Sequence, residues 1–203
     1  MDELSELSED AVARDPIDQF TAWYEDARAA MADDADAVVV ATADASGAPS
    51  ARVVLLRGFD ARGFCFYTSY ESRKGDELRV NPRAAMVFHW PALHRQVRVT
   101  GSVERVSDAE SDAYWANRPV ASRLSAWASD QSAPVADRHE LEAAVAAVTA
   151  RFGADDVPRP EFWGGFRVVP DEVEFWLHRD DRLHDRVRYR RAGGAWTIDR
   201  LQP

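Results

Sequence analysis

A cluster of positively charged residues near the carboxyl end of the chain could bind an anion or act on a substrate. The segment RLHDR (182–186) follows an alternating stretch at 173–177 that is typical of a half-buried strand. If the segment is extended, Arg182, His184 and Arg186 lie on one face, because side chains alternate along a strand. Their charges repel one another unless an anion binds between them. The segment therefore fits either a solvated basic strand edge or a site for an anionic, oxidisable substrate beside a tryptophan.

Two further groups of cations precede this segment. Arg52 and Arg57 flank VVLL (53–56), and in a regular strand their side chains point to opposite faces. Either arginine could instead be an ordinary residue at a strand end, with no binding role. Ser72-Arg73-Lys74 precedes a helical stretch. Backbone N–H groups at a helix start and two cations could together bind a phosphate, although an ordinary charged loop has the same composition.

Tyr114, Arg118 and Ser122 are spaced four residues apart. They share one face if a single helix continues past Pro119, but proline disfavours a helix interior. The three side chains therefore either bend around an anion or belong to a solvated face. His89 and His94 flank a turn without ligands at metal-binding spacing, so we expect no metal site.

Composition limits the class of protein. The chain has 203 residues and a net charge of −10, which opposes general nucleic-acid binding. No apolar run approaches the ~20 residues that span a bilayer, and the acidic N-terminus lacks the layout of a signal peptide. The single cysteine, Cys65, excludes an internal disulfide and suggests a cytoplasmic protein; its GFCFY context indicates a buried strand residue.

The pattern of secondary structure predicts a β-rich α+β fold, a β-barrel with peripheral helices. We expect a disordered tail at 1–14 and one domain at 15–203, starting with a helix from Asp15-Pro16 to about Met31. Strands 50–59 and 64–68 are joined by a short turn and are expected to be antiparallel neighbours. The other predicted strands are 37–44, 84–90, 95–104, 173–177, 187–191 and 196–201, and the other helices are 107–117, 121–128 and 139–152.

Several motifs, in this order along the chain, resemble those of the pyridoxine/pyridoxamine 5′-phosphate oxidase family. They are RVVLLR (52–57), FYTSYESRKG (66–75), RQVRVTG (95–101), YWANRPVAS (114–122), QS (131–132), FWGGFRV (162–168), EFW (174–176), RLHDR (182–186) and WTIDRLQP (196–203). The resemblance implies a split β-barrel that forms a homodimer and binds FMN in the cleft between subunits. It also implies oxidation of pyridoxamine and pyridoxine 5′-phosphates to pyridoxal 5′-phosphate, with O2 as acceptor and H2O2 as product.

The same resemblance implies the site residues. Arg182 and His184 would hold the substrate at the reacting end and are the catalytic candidates. The residues implied for the substrate are Arg57, Tyr114, Arg118, Ser122, Arg182 and His184. Those implied for FMN are Arg52, Val53, Val54, Leu55, Leu56, Arg57, Tyr67, Thr68, Arg73, Lys74, Gln96, Gln131, Ser132, Trp176 and Arg186.

One position departs from the family pattern, which usually has lysine where this chain has Arg57. Arginine keeps the charge and can bind phosphate with two hydrogen bonds, but the two residues are not interchangeable. Three alternatives remain open: another flavin or deazaflavin split-barrel reductase, a protein that binds FMN or pyridoxal phosphate without turnover, and a structural dimer whose cations shield a sheet edge.

Overall fold

The structure is a computed structural model that describes residues 6–153 and 156–203. Its helices are α1 (Pro16–Met31), α2 (Arg73–Val80), α3 (Asp108–Ala116), α4 (Val120–Ala128) and α5 (Arg138–Phe152). Its strands are β1 (Ala37–Ala43), β2 (Pro49–Leu55), β3 (Phe59–Asp60), β4 (Gly63–Ser69), β5 (Arg83–Trp90), β6 (Arg95–Arg105), β7 (Trp163–Leu177), β8 (Asp185–Ala192) and β9 (Ala195–Arg200). Short 3-10 turns occur at Ala32–Asp36, Pro91–Leu93 and Asp180–Arg182.

The strands form one antiparallel sheet in the order β2-β1-β5-β6-β7-β4-β3, with β8 paired to β7 and β9 to β8. The 15-residue β7 is its longest strand and pairs with β6, with β4 at its start and with β8 at its end. The β6–β7 register shifts between Thr100 and Gly101. A Cβ atom at Gly101 would lie 1.9 Å from the Val169 carbonyl oxygen, so only glycine allows this close approach.

The main core lies between α1 and the sheet. Asp15 caps α1 by accepting a hydrogen bond from the Ile17 amide at 2.7 Å, which fixes where the helix begins. Phe20 of α1 is completely buried and packs edge-on against Phe64 and Phe88. A smaller second core, beneath α3 and α4, contains Trp115, Leu124, Val157 and Trp163.

The predicted β-rich α+β fold with peripheral helices is confirmed, and Cys65 is buried in β4 as expected. The predicted strand 50–59 is divided in the structure. Its first part, β2, ends at Leu55 and pairs with β1. The predicted antiparallel pairing with 64–68 is confirmed only at the end of that segment, where β3 pairs with the start of β4 and Cys65 exchanges backbone hydrogen bonds with Arg57 and Gly58. The chain turns at Gly58, whose φ of +153° favours glycine, and β4 pairs with β7 along its other edge.

The predicted tail at 1–14 is packed where the structure describes it, from residue 6 onward. Leu7 and Val12 are buried because their apolar side chains pack in the main core, which also contains Val187 and Tyr189 of β8. The Leu7 amide donates to Asp185 at 3.2 Å, and the Tyr189 hydroxyl donates to the Ala13 carbonyl at 2.7 Å. Residues 1–5 lie outside the described part. No helix in the described ranges is long and apolar enough to cross a bilayer.

Candidate functional site

A cavity of about 910 Å³ lies between the end of β2, β4 and the α3–α4 corner. It brings together side chains that are distant in sequence, because β4 and the two helices meet over the second core. Among its lining residues are seven of the predicted site residues. These are Arg57, Tyr67, Thr68, Tyr114, Arg118, Ser122 and Gln131, and an eighth predicted site residue, Leu55, also borders the cavity.

Aromatic rings form one wall of this cavity. Tyr67 and Tyr114 stack with ring centroids 4.0 Å apart, and Trp163 lies almost parallel to Tyr114 at 6.1 Å. Burial raises the pKa of Tyr67 to about 12, so its hydroxyl stays protonated at neutral pH. Trp163 was not among the predicted site residues, although its place in the FWGG motif was a signal.

Arg118 is the cation at this wall. Its guanidinium lies over the Trp163 ring at 4.5 Å, and its Nη1 is buried with no hydrogen-bond partner among the described residues. Burial lowers the pKa of Arg118 from its usual value, and the charges of Arg123 and Arg57 act in the same direction. A half-buried guanidinium that has an unpaired buried nitrogen and lies beside other cations is stabilised by an anion, so the cavity is suited to an anionic ligand.

The α3–α4 corner explains how Tyr114, Arg118 and Ser122 reach one cavity. Helix α3 ends at Ala116, Pro119 takes the N-cap position of α4, and the two helices are separate. The three side chains therefore line one cavity because the chain bends at this corner, and they do not share the face of a single helix.

The second group of cations surrounds Glu77 of α2. This buried carboxylate accepts hydrogen bonds from Arg73 at 2.9 Å and Arg52 at 3.2 Å, and also from the hydroxyls of Ser50 and Thr42. Burial alone would raise the pKa of Glu77, but these four hydrogen bonds outweigh it and hold the pKa at about 2. Glu77 was not singled out from the sequence, because Thr42, Ser50 and Arg52 come from two distant strands; Arg73, four residues earlier on the same helix, was its one local signal.

Lys74 lies within the same group and is only 6% exposed. Ser72 caps α2 as expected, and the Lys74 ammonium donates to the Thr68 hydroxyl at 3.0 Å and to the Ser72 hydroxyl at 3.3 Å. Burial, followed by the charge of Arg52, lowers the pKa of Lys74 to about 8.

Gln131 connects this group to the cavity. Its side-chain oxygen accepts hydrogen bonds from the Thr68 hydroxyl at 2.8 Å and the Ser69 amide at 3.1 Å. Ser132 follows with a φ of +80° and lines a neighbouring cavity of about 830 Å³ together with Arg73. The predicted QS pair is thus placed beside the predicted phosphate-binding cations.

The remaining residues of the 52–57 segment belong to β2 and the turn after it. Val53 is 64% exposed and Leu55 is 44% exposed on the outer face, while Val54 is half-buried and Leu56 is buried. Arg57 lies outside the strand, because β2 ends at Leu55. Its Nη1 donates to Asp36 at 3.1 Å, a partner that sequence reasoning missed.

Three other predicted site residues form a separate row across β6, β7 and β8. Gln96 on β6 pairs with Trp176 on β7, which pairs with Arg186 on β8, so the three residues are cross-strand neighbours. The His184 ring lies 4.7 Å from the Trp176 ring, and Arg186 donates to Glu174 at 2.8 Å.

The expectation that RLHDR (182–186) is one extended segment is wrong. Asp180–Arg182 forms a 3-10 turn in which Asp181 and Arg182 have φ values of +55° and +63°, and β8 begins only at Asp185. Arg182 is exposed on this turn, and His184 is half-buried with its Nδ1 accepting from the Arg179 amide at 3.1 Å. The three cations therefore do not alternate along a strand.

The row lies far along β7 from the cavity. Trp163, in the cavity wall, starts β7, and Trp176, in the row, lies thirteen residues later on the same strand. At ~3.3 Å per residue this separation reaches roughly 40 Å along the strand.

No group of three or more His, Cys, Asp or Glu side chains suited to a metal ion occurs in the part of the chain that the structure describes.

Two family matches cover most of the chain. Residues 13–152 match the family described as "Pyridoxamine 5'-phosphate oxidase", and residues 163–203 match the "Pyridoxine 5'-phosphate oxidase C-terminal dimerisation region". The chain is 55% identical over 202 residues to the pyridoxine/pyridoxamine 5′-phosphate oxidase of Bordetella petrii, covering 99% of this chain and 95% of the relative. It is 53% identical over 197 residues to the enzyme of the same name from Rubrobacter xylanophilus, covering 97% and 91%.

Two solved structures share the fold. PhzG from Burkholderia lata, in complex with tetrahydrophenazine-1-carboxylic acid, aligns with a TM-score of 0.91, 34% identity and 98% coverage of both chains. A pyridoxamine 5′-phosphate oxidase-related, FMN-binding protein from Nostoc punctiforme aligns with a TM-score of 0.76 at 20% identity, covering 95% of this chain and all of the other.

The architecture and these likenesses define the class of protein as a split β-barrel oxidoreductase. The chain belongs to the pyridoxamine 5′-phosphate oxidase family.

Proposed function

We propose that this protein is an FMN-dependent oxidase of vitamin B6 metabolism. It oxidises pyridoxamine 5′-phosphate and pyridoxine 5′-phosphate to pyridoxal 5′-phosphate; O2 is consumed, H2O2 is released, and the amine substrate also takes up water and releases ammonia. The observation that carries the proposal is the cavity in which Arg118, with a buried unpaired nitrogen, faces the same space as Arg57 and the stacked tyrosines. Such a cavity is suited to a planar ring bearing a phosphate.

FMN is the cofactor, and the residues around Glu77 fit its phosphate. Arg52, Arg73 and Lys74 carry three positive charges against the single negative charge of Glu77. The net excess of two positive charges matches a dianionic phosphate. The N-terminal amides of α2 and the Gln131-Ser132 pair lie beside these cations and add hydrogen-bonding groups.

Two copies of the chain form the complete site in this proposal. Cavity and row are separated along β7, so the residues that would hold one flavin come from the cavity of one copy and from the Gln96, Trp176 and Arg186 row of a second copy. The outer face of β1 and β2 supports this arrangement. Val39 and Val53 are paired there and both exposed, and an apolar sheet face of this kind is stabilised when another copy covers it.

The chain's residues bind and orient the substrate in this proposal. Arg57 and Arg118 hold its phosphate, while Tyr114 and Ser122 line the space for its ring. Arg182 and His184 of the second copy hold the reacting end. Because His184 Nδ1 accepts a hydrogen bond from a backbone amide, its Nε2 carries the proton of the neutral ring and can donate to the substrate. When bound, FMN would supply the hydride-accepting and O2-reducing chemistry of the reaction.

The test is oxygen uptake by the FMN-saturated protein with pyridoxamine 5′-phosphate and with pyridoxine 5′-phosphate. We expect pyridoxal 5′-phosphate and H2O2 to appear in equal amounts. A flavin-loaded protein that oxidises neither substrate would favour the alternative of a binding protein or of a reductase acting on another molecule. Tetrahydrophenazine-1-carboxylic acid, the ligand of the PhzG structure, is offered to the protein in the same oxygen-uptake assay for comparison.

A further inference from the structure

Asp36 is a buried carboxylate that the proposed mechanism does not use; it lies behind Arg57 and lines a smaller neighbouring cavity. It ends the 3-10 turn before β1 and is 8% exposed. Its Oδ1 accepts hydrogen bonds from the Tyr24 hydroxyl at 2.6 Å and from Arg28 at 3.0 Å, and its Oδ2 accepts from Arg57 at 3.1 Å. Three elements of the fold therefore meet at one side chain.

Arg57 lies between two spaces. On one side it borders the large cavity with Arg118, and on the other it borders a smaller cavity of about 440 Å³ together with Tyr24, Arg28 and Asp36. Its bond to Asp36 uses one nitrogen, Nη1. In the part of the chain that the structure describes, Nε and Nη2 make no hydrogen bond, so two donor groups of the planar fork stay available for a ligand.

The charge of Asp36 does not cancel the attraction of this site for an anion. Arg28 also pairs with Asp36, so the carboxylate is shared between two guanidiniums. Arg28, Arg57 and Asp36 together keep one positive charge. The Asp36–Arg57 contact therefore affects ligand binding mainly by orienting the Arg57 side chain. Without this contact, Arg57 would lose rotamer freedom when the ligand binds, and that loss would weaken binding.

We infer that Asp36 is a positioning residue for substrate binding, which holds the Arg57 guanidinium so that its free edge faces the phosphate of the substrate. This inference rests on the proposed function, in which Arg57 and Arg118 bind that phosphate. It also assigns a role to the arginine at position 57. A planar fork can contact Asp36 and a phosphate at once, whereas the ammonium of a lysine is a compact point charge.

The first test is the isosteric variant Asp36→Asn. We expect KM for pyridoxamine 5′-phosphate to rise three- to tenfold while kcat changes less than twofold, because the flavin and the reacting end are untouched. The dissociation constant of pyridoxal 5′-phosphate, titrated into the FMN-loaded protein without turnover, should rise by the same factor. The matched control is Asp33→Asn, which removes another carboxylate that pairs with Arg28 but is 94% exposed and does not contact Arg57. We expect it to leave KM unchanged.

The second test separates positioning from a merely structural role. Asp36→Asn is combined with Arg57→Lys, and KM is measured for the four proteins of the cycle. We expect the effect of Asp36→Asn to shrink to less than twofold in the Arg57→Lys background. An equal effect in both backgrounds, a KM that falls on removing the charge, or an equal effect of Asp33→Asn would each overturn the inference.

Failure of the inference is distinguishable from failure of the proposed function. If the wild-type protein oxidises pyridoxamine 5′-phosphate but Asp36→Asn leaves KM and the pyridoxal 5′-phosphate affinity unchanged, only the inference fails. If the wild-type protein neither oxidises nor binds these phosphates, the proposed function fails first and the inference fails with it.

Discussion

The Lys74 ammonium donates a hydrogen bond of 3.0 Å to the Thr68 hydroxyl, which in turn donates to Gln131 at 2.8 Å. This chain of contacts joins the cations around Glu77 to the cavity that contains Arg57 and Arg118. Each of the two groups has its own positive charges, so substitutions can separate binding of the FMN phosphate from binding of the substrate phosphate.

Lys74→Ala should weaken FMN binding selectively. A lost charge-assisted hydrogen bond costs roughly 1.5–3 kcal/mol, or about ten- to a hundredfold in affinity. We expect activity to recover largely at saturating FMN, because the substrate cations remain. Flavin titration of the apoprotein measures the affinity, and Arg83→Ala, which removes an exposed cation paired with Asp171, is the control. Unchanged FMN affinity in Lys74→Ala would place the flavin phosphate elsewhere.

FMN binding should also depend on pH through Lys74. Its pKa of about 8 in the unliganded fold lies below the usual lysine value, so the ammonium loses its proton as the pH rises through 8. FMN affinity should therefore fall between pH 7 and 9.5, with proton uptake on binding at the upper end. Lys74→Arg, which stays protonated, should remove most of this dependence. An equally steep fall in that variant would assign the titration to another group.

The same pKa gives a prediction for stability. The folded pKa of Lys74 is depressed below that of the unfolded chain, so between about pH 8 and pH 10.4 the unfolded state binds more protons. The contribution of this group to the free energy of unfolding should therefore increase as pH rises across that window. Urea unfolding of the apoprotein at several pH values measures it, and Lys74→Met should lack this increment. If the free energy of unfolding of the wild type instead decreased across this window relative to that of Lys74→Met, a depressed pKa of Lys74 would be contradicted.

Arg182→Ala should separate substrate binding from cofactor binding. Arg182 is exposed on the turn before His184, whereas Lys74 is buried on α2. We expect the variant to keep its flavin and to lose kcat/KM for pyridoxamine 5′-phosphate by ten- to a hundredfold, the scale of one lost charge-assisted hydrogen bond. Steady-state kinetics with and without added FMN make the measurement. Recovery of activity on adding FMN would show that Arg182 serves the cofactor.

Arg57→Lys should remain active and change substrate affinity more than FMN retention. Lysine keeps the positive charge but lacks the planar fork that contacts Asp36. KM for the phosphorylated substrate and the flavin content after gel filtration are the two measurements. If the variant sheds FMN while its KM stays constant, the side chain belongs to the flavin phosphate instead.

Local sequence patterns were sufficient for most elements and insufficient where distant segments meet. Asp15-Pro16 marked the start of α1, and Pro119 marked the break between α3 and α4, because caps and prolines act on their immediate neighbours. Asp36 had no such signal. Its partners Tyr24, Arg28 and Arg57 are brought to it by the tertiary fold, although an arginine in place of the family's usual lysine could have prompted a search for a nearby carboxylate.

The turn at Asp180–Arg182 shows a different limit. The alternation that correctly indicated a strand at 173–177 was extended into RLHDR, but there the apolar Leu183 is exposed and the charged Asp185 is buried, so side-chain polarity did not predict the conformation. Two successive residues with positive φ, Asp181 and Arg182, reverse the chain before β8. Such a conformation depends on the surrounding structure, here the hydrogen bonds of Asp185 to Leu7, Arg179 and Arg200.

The most direct test of a site shared between two copies is complementation between two inactive variants. Arg118→Ala damages the cavity and Arg182→Ala damages the turn beside the row, and each alone should show little oxygen uptake with pyridoxamine 5′-phosphate. In a mixed dimer, the intact cavity of one copy faces the intact Arg182 of the other. Random exchange of subunits should therefore restore about a quarter of wild-type activity, since half of the dimers are mixed and each has one complete site. A mixture that exchanges subunits and stays inactive would show that each chain builds its site alone.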